Sequence, residues 1–102
     1  MNKLKVGDRI YLYHYGEIRR VIIERVTKTM AKSKLWNFDI EYEDNGYVKI
    51  KGKDPFTRTY AYIETEKIKD EYDLQNLREW LKKNVDSIPL NKLKEMYKIA
   101  KI

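Results

Sequence analysis

The chain has 102 residues, of which 42% are hydrophobic and 37% charged, and its net charge is +6. That length bounds it to one domain with a small core, and that composition excludes a disordered tail. The absence of cysteine excludes disulfides and thiolate metal sites, and the longest apolar runs, such as Val21-Ile22-Ile23, are too short to cross a bilayer. The opening Met1-Asn2-Lys3-Leu4-Lys5-Val6-Gly7 lacks the apolar stretch of a secretory signal, so the expectation is a cytoplasmic protein with no membrane partner.

Charge is spread unevenly. Residues 1–60 hold 13 basic and 8 acidic side chains, residues 61–76 hold 2 and 5, and residues 77–102 hold 7 and 3. A basic first part and a basic end flank an acidic connector. Such a balance favours polyanionic partners.

In chain order, the first predicted strand covers residues 9–15, between the turn residues Gly7-Asp8 and Gly16. Ile10, Leu12 and His14 fall on one side, and Tyr11, Tyr13 and Tyr15 on the other. A second strand runs over residues 18–27, with Val21 and Ile23 on one side and Ile22 and Val26 on the other. Residues 27–34 carry three lysines and no acid, and read as a loop or a ragged edge strand. Residues 36–43 alternate without a break: Trp36, Phe38, Ile40 and Tyr42 are apolar or aromatic, and Asn37, Asp39, Glu41 and Glu43 are polar. After Asp44-Asn45-Gly46, Val48 and Ile50 alternate with Lys49 and Lys51, which predicts a β-hairpin. A three-residue loop pairs Tyr42 with Val48, Glu41 with Lys49, Ile40 with Ile50 and Asp39 with Lys51, and keeps both faces consistent; a two-residue loop mixes them. In that register Lys49 and Lys51 are neutralised by Glu41 and Asp39.

Gly52-Lys53-Asp54-Pro55 reads as a turn, and residues 57–63 as a fifth strand. From about Thr65 the period becomes helical, with Ile68, Tyr72, Leu74, Leu77, Trp80 and Leu81 forming an apolar stripe and Asp73 a candidate N-cap for a restart. Pro89 interrupts the pattern, and a last helix covers residues 89–101 with Leu90, Leu93, Met96 or Tyr97, and Ala100 inward. The expected fold is α+β: a small five-stranded antiparallel SH3-like barrel or bent sheet followed by two C-terminal helices. It forms one domain over 1–102, with the β part at 1–63 and a helical hairpin at 64–102 packed on it.

Two passages carry a family resemblance. Arg25-Val26-Thr27-Lys28-Thr29-Met30-Ala31-Lys32 follows the second strand, and Tyr62-Ile63-Glu64-Thr65-Glu66-Lys67-Ile68-Lys69 joins the last strand to the helix. Together they resemble a group of small phage and prophage proteins with a basic SH3-like β domain and a short helical tail; that group often has glutamine where this chain has Met30. The resemblance implies a mobile-element origin and, with it, a host-takeover or anti-defence role, and it brings no catalytic residues. Val6-Gly7-Asp8-Arg9-Ile10 is also similar to the opening of many SH3-like and KOW-type barrels.

Catalytic chemistry finds little support. His14 is the only histidine, its neighbours by period are Ile10 and Leu12, and it reads as hydrogen-bonded at the core edge. Ser33 and Ser87 sit in turn-like contexts without a nucleophile elbow. Asp39, Glu41 and Glu43 line one side of a strand and could hold Mg²⁺ or Ca²⁺, but a solvated face paired with Lys49 and Lys51 is the plainer reading. No catalytic residue, metal or cofactor is expected. The candidate binding residues are Tyr11, Tyr13 and Tyr15, read as an exposed ladder on which bases stack, with Arg19, Arg20, Lys28, Lys32 and Lys34 as nearby cations. The competing structural reading packs those tyrosines under the helices. The expected function is a non-enzymatic binding module contacting nucleic acid, DNA or RNA, through this basic, Tyr-rich surface. The alternative is a phage-encoded inhibitor of a host protein, such as a nucleic-acid-handling defence enzyme, using the same side chains as interface anchors. Oligomeric state is left open.

Overall fold

The alternation at Phe38, Ile40 and Tyr42 becomes the strand around which the sheet is organised. The computed structural model describes residues 2–52 and 58–100. It contains eight strand segments: β1 (Asn2–Lys3), β2 (Arg9–His14), β3 (Glu17–Ile22), β4 (Arg25–Val26), β5 (Met30–Lys32), β6 (Asn37–Tyr42), β7 (Tyr47–Ile50) and β8 (Thr59–Ile63). Helix α1 (Glu66–Asn84), a 3-10 turn (Val85–Ser87) and helix α2 (Leu90–Ala100) follow. The architecture is α+β, a curled antiparallel sheet with two C-terminal helices. Among the described residues no helix is long and apolar enough to cross a membrane.

The sheet order is β3-β2-β8-β7-β6-β5-β4, with β1 also pairing β6. Its two ends, β3 and β4, are neighbours in sequence, joined only by Ile23-Glu24. At that junction the chain changes partner. The Ile23 amide donates to the Asp8 carbonyl at 2.9 Å, while the Glu24 amide donates to the Lys32 carbonyl at 2.8 Å. One bent strand therefore serves both ends of the sheet, and the sheet must curl to allow it. This is the predicted second strand, divided at the bend. Five strands were expected and eight segments are present: the division at Ile23 adds one, β5 emerges from the lysine-rich stretch, and β1 pairs with the far half of β6.

The enclosed core is formed by Leu4, Ile10, Leu12, Ile23, Ala31, Phe38, Val48, Ile50 and Ala61. The central hairpin keeps part of its predicted register. Tyr42 pairs with Val48 as expected, but Ile50 pairs with Phe38, not Ile40, and the register shifts between the two pairs. The extra residues of β6 make a bulge, which bends the strand and helps curl the sheet. The displaced backbone of Ile40 finds partners on the other edge: its amide donates to the Thr29 carbonyl at 3.1 Å, and its carbonyl accepts from the Leu4 amide at 2.7 Å. Gly46 closes the loop at φ +89°, the left-handed position the turn requires. Of the expected turn at residues 52–55 only Gly52 is described; Lys53, Asp54, Pro55, Thr57 of the expected fifth strand, and Lys101 lie outside the described residues.

The lysine-rich stretch resolves into two tight turns around β5. The Thr27 amide donates to the Met30 carbonyl, and the Met30 amide donates back to the Thr27 hydroxyl at 3.1 Å. Ser33 repeats the device: its amide donates to the Trp36 carbonyl, and the Trp36 amide donates to the Ser33 hydroxyl at 3.2 Å. Each turn holds a lysine at its tip, Lys28 in the first and Lys34 in the second.

By packing the chain divides into two units, Met1–Tyr72 and Asp73–Ile102. Thr65 caps α1, its hydroxyl accepting from the Ile68 amide at 3.2 Å, and the helix runs through Asp73 without the restart expected there. In the second unit the Asn84 side chain donates to the Trp80 carbonyl at 2.8 Å as α1 ends. Pro89, which fits a first helical turn, then opens α2. Leu74, Leu77 and Trp80, expected to face inward, are exposed, and no described residue of either helix is buried.

Candidate functional site

The side of β2 that carries the tyrosines is not an open ladder. Tyr11 is fully buried at 0% exposure. Its ring meets Tyr72 of α1 edge-on at 5.4 Å, and its hydroxyl donates to Glu64 Oε2 at 2.7 Å. Tyr13 is half-buried, donates to Glu71 Oε2 at 2.9 Å, and packs edge-on against Tyr62 at 5.8 Å. The exposed-ladder expectation is therefore corrected for Tyr11 and, in large part, for Tyr13. Alternation puts these rings on one side of the strand, but the opening turns of α1 come back over that side. Burial and the Glu64 hydrogen bond push the Tyr11 phenol up, and burial with the Glu71 bond pushes Tyr13 up to about 12. The Tyr11 hydroxyl, with Arg9 at 3.6 Å, holds Glu64 below the usual carboxylate range.

Tyr15 is different. It sits at the tip of the β2–β3 hairpin, where His14 pairs with Glu17 and leaves a two-residue turn. Both turn residues have positive φ, Tyr15 at 47° and Gly16 at 83°, the signature of a type I′ turn. Tyr15 remains 69% exposed. Its ring lies edge-on to His14 at 4.4 Å, and His14 lies edge-on to Trp36 at 6.1 Å. His14 Nδ1 is also 2.6 Å from the hydroxyl of buried Thr59, so it is a hydrogen-bonded core-edge histidine, as expected.

The predicted cations separate into three places. Arg19, Arg20 and Lys34 line one cleft of about 410 Å³, together with Ile22, Leu35 and Trp36. Lys32 lines a second concavity of about 450 Å³, beside Arg25. Glu24 and Ser33 belong to both walls, so the two concavities adjoin along the bent strand. Five cationic residues and one carboxylate line the two together. Lys28 is elsewhere, in a groove of about 600 Å³ whose charged lining is Lys28, Lys49 and Lys51 against Asp39, Glu41 and Glu43. There Lys51 pairs with Asp39 at 2.9 Å, as predicted. Because of the bulge in β6, the expected Glu41–Lys49 pair is not among the ion pairs of the described residues.

Within the cationic cleft the arginines are not equivalent. Arg19 reaches Glu17 at 3.6 Å on an exposed surface, where such a pair is weak. Arg20 lies over the Tyr72 ring at 5.1 Å, and its bond with the Tyr11 hydroxyl raises its pKa further. Arg20 thus presents a fixed charge at the cleft wall. Arg25, Lys32 and Lys34 make no ion pair among the described residues. The sequence reading missed Arg25, Ile22, Leu35 and Trp36 as lining residues. One signal was available: Leu35 and Trp36 interrupt a lysine-rich turn with apolar bulk, and Leu35 is 89% exposed. No protein-family model, curated protein or solved structure matches the chain.

Proposed function

We propose that this protein is a non-enzymatic binding module that holds nucleic acid in the cationic cleft along β3, β4 and β5. The observation that carries the reading is the charge imbalance of the two adjoining concavities, five cations to one carboxylate, with the exposed apolar residues Ile22 and Leu35 beside them. Phosphates neutralise Arg19, Arg25, Lys32 and Lys34, while Ile22, Leu35 and Trp36 offer an apolar surface beside them. Among the described residues no helix presents a base-reading set to these concavities, so sequence preference is weak. The strand shared by both ends of the sheet supports the finer assignment of an SH3-like barrel, and the phage-type origin remains the resemblance's contribution.

The test is fluorescence anisotropy with labelled DNA and RNA oligonucleotides at low and physiological salt. Affinity is expected to fall steeply as salt rises, because each neutralised phosphate releases a counterion. A flat salt response rejects the mechanism.

A second reading, an inhibitor of a host protein, has its own support in the second unit, where Leu77, Trp80, Leu90 and Ile99 are exposed. Nuclease-treated pull-down from a bacterial host separates the two. One protein retained in stoichiometric amount supports the inhibitor, and its absence rejects it.

A further inference from the structure

We infer that the nucleic acid this cleft accepts is single-stranded, with an unpaired base lodged against Ile22, Leu35 and Trp36 and the neighbouring phosphates held by Lys34 on one side and Arg25 and Lys32 on the other. The inference rests on the nucleic-acid reading and names its ligand class.

Two observations lead to it. The first is the cleft itself. At about 410 Å³ this open cleft falls in the volume range of small-ligand sites, about 300–1,000 Å³, and four of its lining residues are apolar, Val21, Ile22, Leu35 and Trp36. A basic surface that only tracks a duplex backbone has no use for an apolar recess, since paired bases are stacked inside the helix and present only their edges. An unpaired base has a π-face to bury. The second observation is the aromatic row that runs into the recess. Tyr15, His14 and Trp36 follow one another edge-on at 4.4 and 6.1 Å, and Trp36 is itself part of the cleft wall. Tyr15 sits in the left-handed turn of its hairpin and is largely exposed. The row therefore leads from an exposed ring at the hairpin tip to the cleft wall, with Arg19 and Arg20 on the strand that leaves the tip. Aromatic rings beside a cationic groove are how single strands are held without sequence readout. Glu24, which lies in the wall shared by the two concavities, repels a phosphate at that point and so favours a strand whose backbone passes on either side of it.

Trp36 makes the test direct, because the chain has only two tryptophans. In a Trp80→Phe background Trp36 is the sole indole reporter. Titration with oligothymidylate of about ten nucleotides, within the usual site size of single-strand binders, is expected to quench Trp36 emission. A blunt G·C-rich duplex of the same length is expected to bind at least about tenfold more weakly and to leave the emission unchanged. Leu35→Ser keeps every charge and alters an exposed side chain, so the fold is retained; it is expected to lower single-strand affinity about tenfold and leave duplex affinity as it was. Equal affinity for both forms with unmoved Trp36 emission overturns the inference while leaving the cationic cleft as a general polyanion site. Absence of binding by either form overturns the inference and the nucleic-acid reading together.

Discussion

The cationic cleft and the groove beside the central hairpin make an instructive pair. Both are open concavities on the same curled sheet, and both have a lysine at the tip of a turn pinned by a hydroxyl, Lys34 in one and Lys28 in the other. In the groove the lysines and carboxylates balance in number, three against three, and Lys51 is closed onto Asp39. In the cleft the acids have no such share. The difference lies in what faces each lysine across the sheet, not in how many lysines the stretch contains. β6 alternates acid with apolar residues and hands its acids to the groove, whereas β4 and β5 place Arg25 against Lys32.

The largest expected effect comes from the core of the sheet that carries both concavities. Phe38 is fully buried on β6, pairs with Ile50 and lies in the core. Phe38→Ala should cost about 3–5 kcal/mol, read by urea denaturation, because the lost transfer energy is joined by that of the cavity left behind. If the variant unfolds at the same urea concentration as the parent, the core is not where the burial pattern places it.

Charge reversal should then split the pair. Arg25→Glu with Lys32→Glu is expected to weaken nucleic-acid binding by about tenfold or more and to lower the slope of log affinity against log salt by about two, one for each lost phosphate contact. Lys28→Glu, in the balanced groove, should leave affinity within about twofold. Equal losses from the two changes would mean that the surfaces act as one diffuse field, and the comparison would fail.

How far the sequence carried this picture depends on the residue. The period-two run from Trp36 to Glu43 and the Asp44-Asn45-Gly46 turn located the central hairpin and its first pair, since alternation and a left-handed glycine are local properties. The bulge between Phe38 and Tyr42 was illegible, because it answers to the curvature of the whole curled sheet. The bent strand was legible as a long strand with apolar residues on both sides; its service to both ends of the sheet was not. Tyr11 shows the same limit from another direction. Periodicity gives the side of a strand and is silent on what covers it, and the cover is Tyr72, 61 positions along the chain. The cleft was half legible: Arg19, Arg20, Lys32 and Lys34 were named from charge, while Arg25 and the apolar floor needed the fold to bring β4 and the Ser33–Trp36 turn beside β3.

The covered side of β2 offers a smaller effect with a clear pH signature. Tyr11→Phe removes the donor to Glu64 and should cost about 1–2 kcal/mol near neutral pH, the range for a hydrogen bond to a charged group that is not fully buried. Because Glu64 is held below the ordinary carboxylate value of 4.5, its contribution is present above that value and fades as pH falls beneath it. The variant should therefore lose a smaller part of its stability on acidification than the parent. Tyr13 works in the opposite direction. Its phenol is raised from 10.0 to about 12, so the stability it gives is complete below pH 10 and is lost as pH rises through the interval to 12. Tyr13→Phe should flatten that alkaline limb in a melting-temperature series. An unchanged alkaline limb would mean that the Glu71 contact is not made in solution.

The smallest effect is the most informative about the exposed end of the aromatic row. Tyr15 occupies a left-handed position, φ 47°, that an L-residue with a bulky side chain adopts at a cost, and it precedes Gly16 in a turn whose preferred sequence is Asn-Gly. Tyr15→Asn should stabilise the protein by about 0.5–1 kcal/mol in denaturation, because asparagine tolerates that conformation better. The same change deletes the outermost ring, and single-strand affinity should fall by a few-fold, toward the lower end of a stacking contribution of about 1–3 kcal/mol. Opposite signs for stability and binding are what a residue kept for contact, against its own backbone preference, would give. If stability falls together with affinity, Tyr15 is a structural ring packed on His14, and the balance between the cleft and the groove then rests on charge alone.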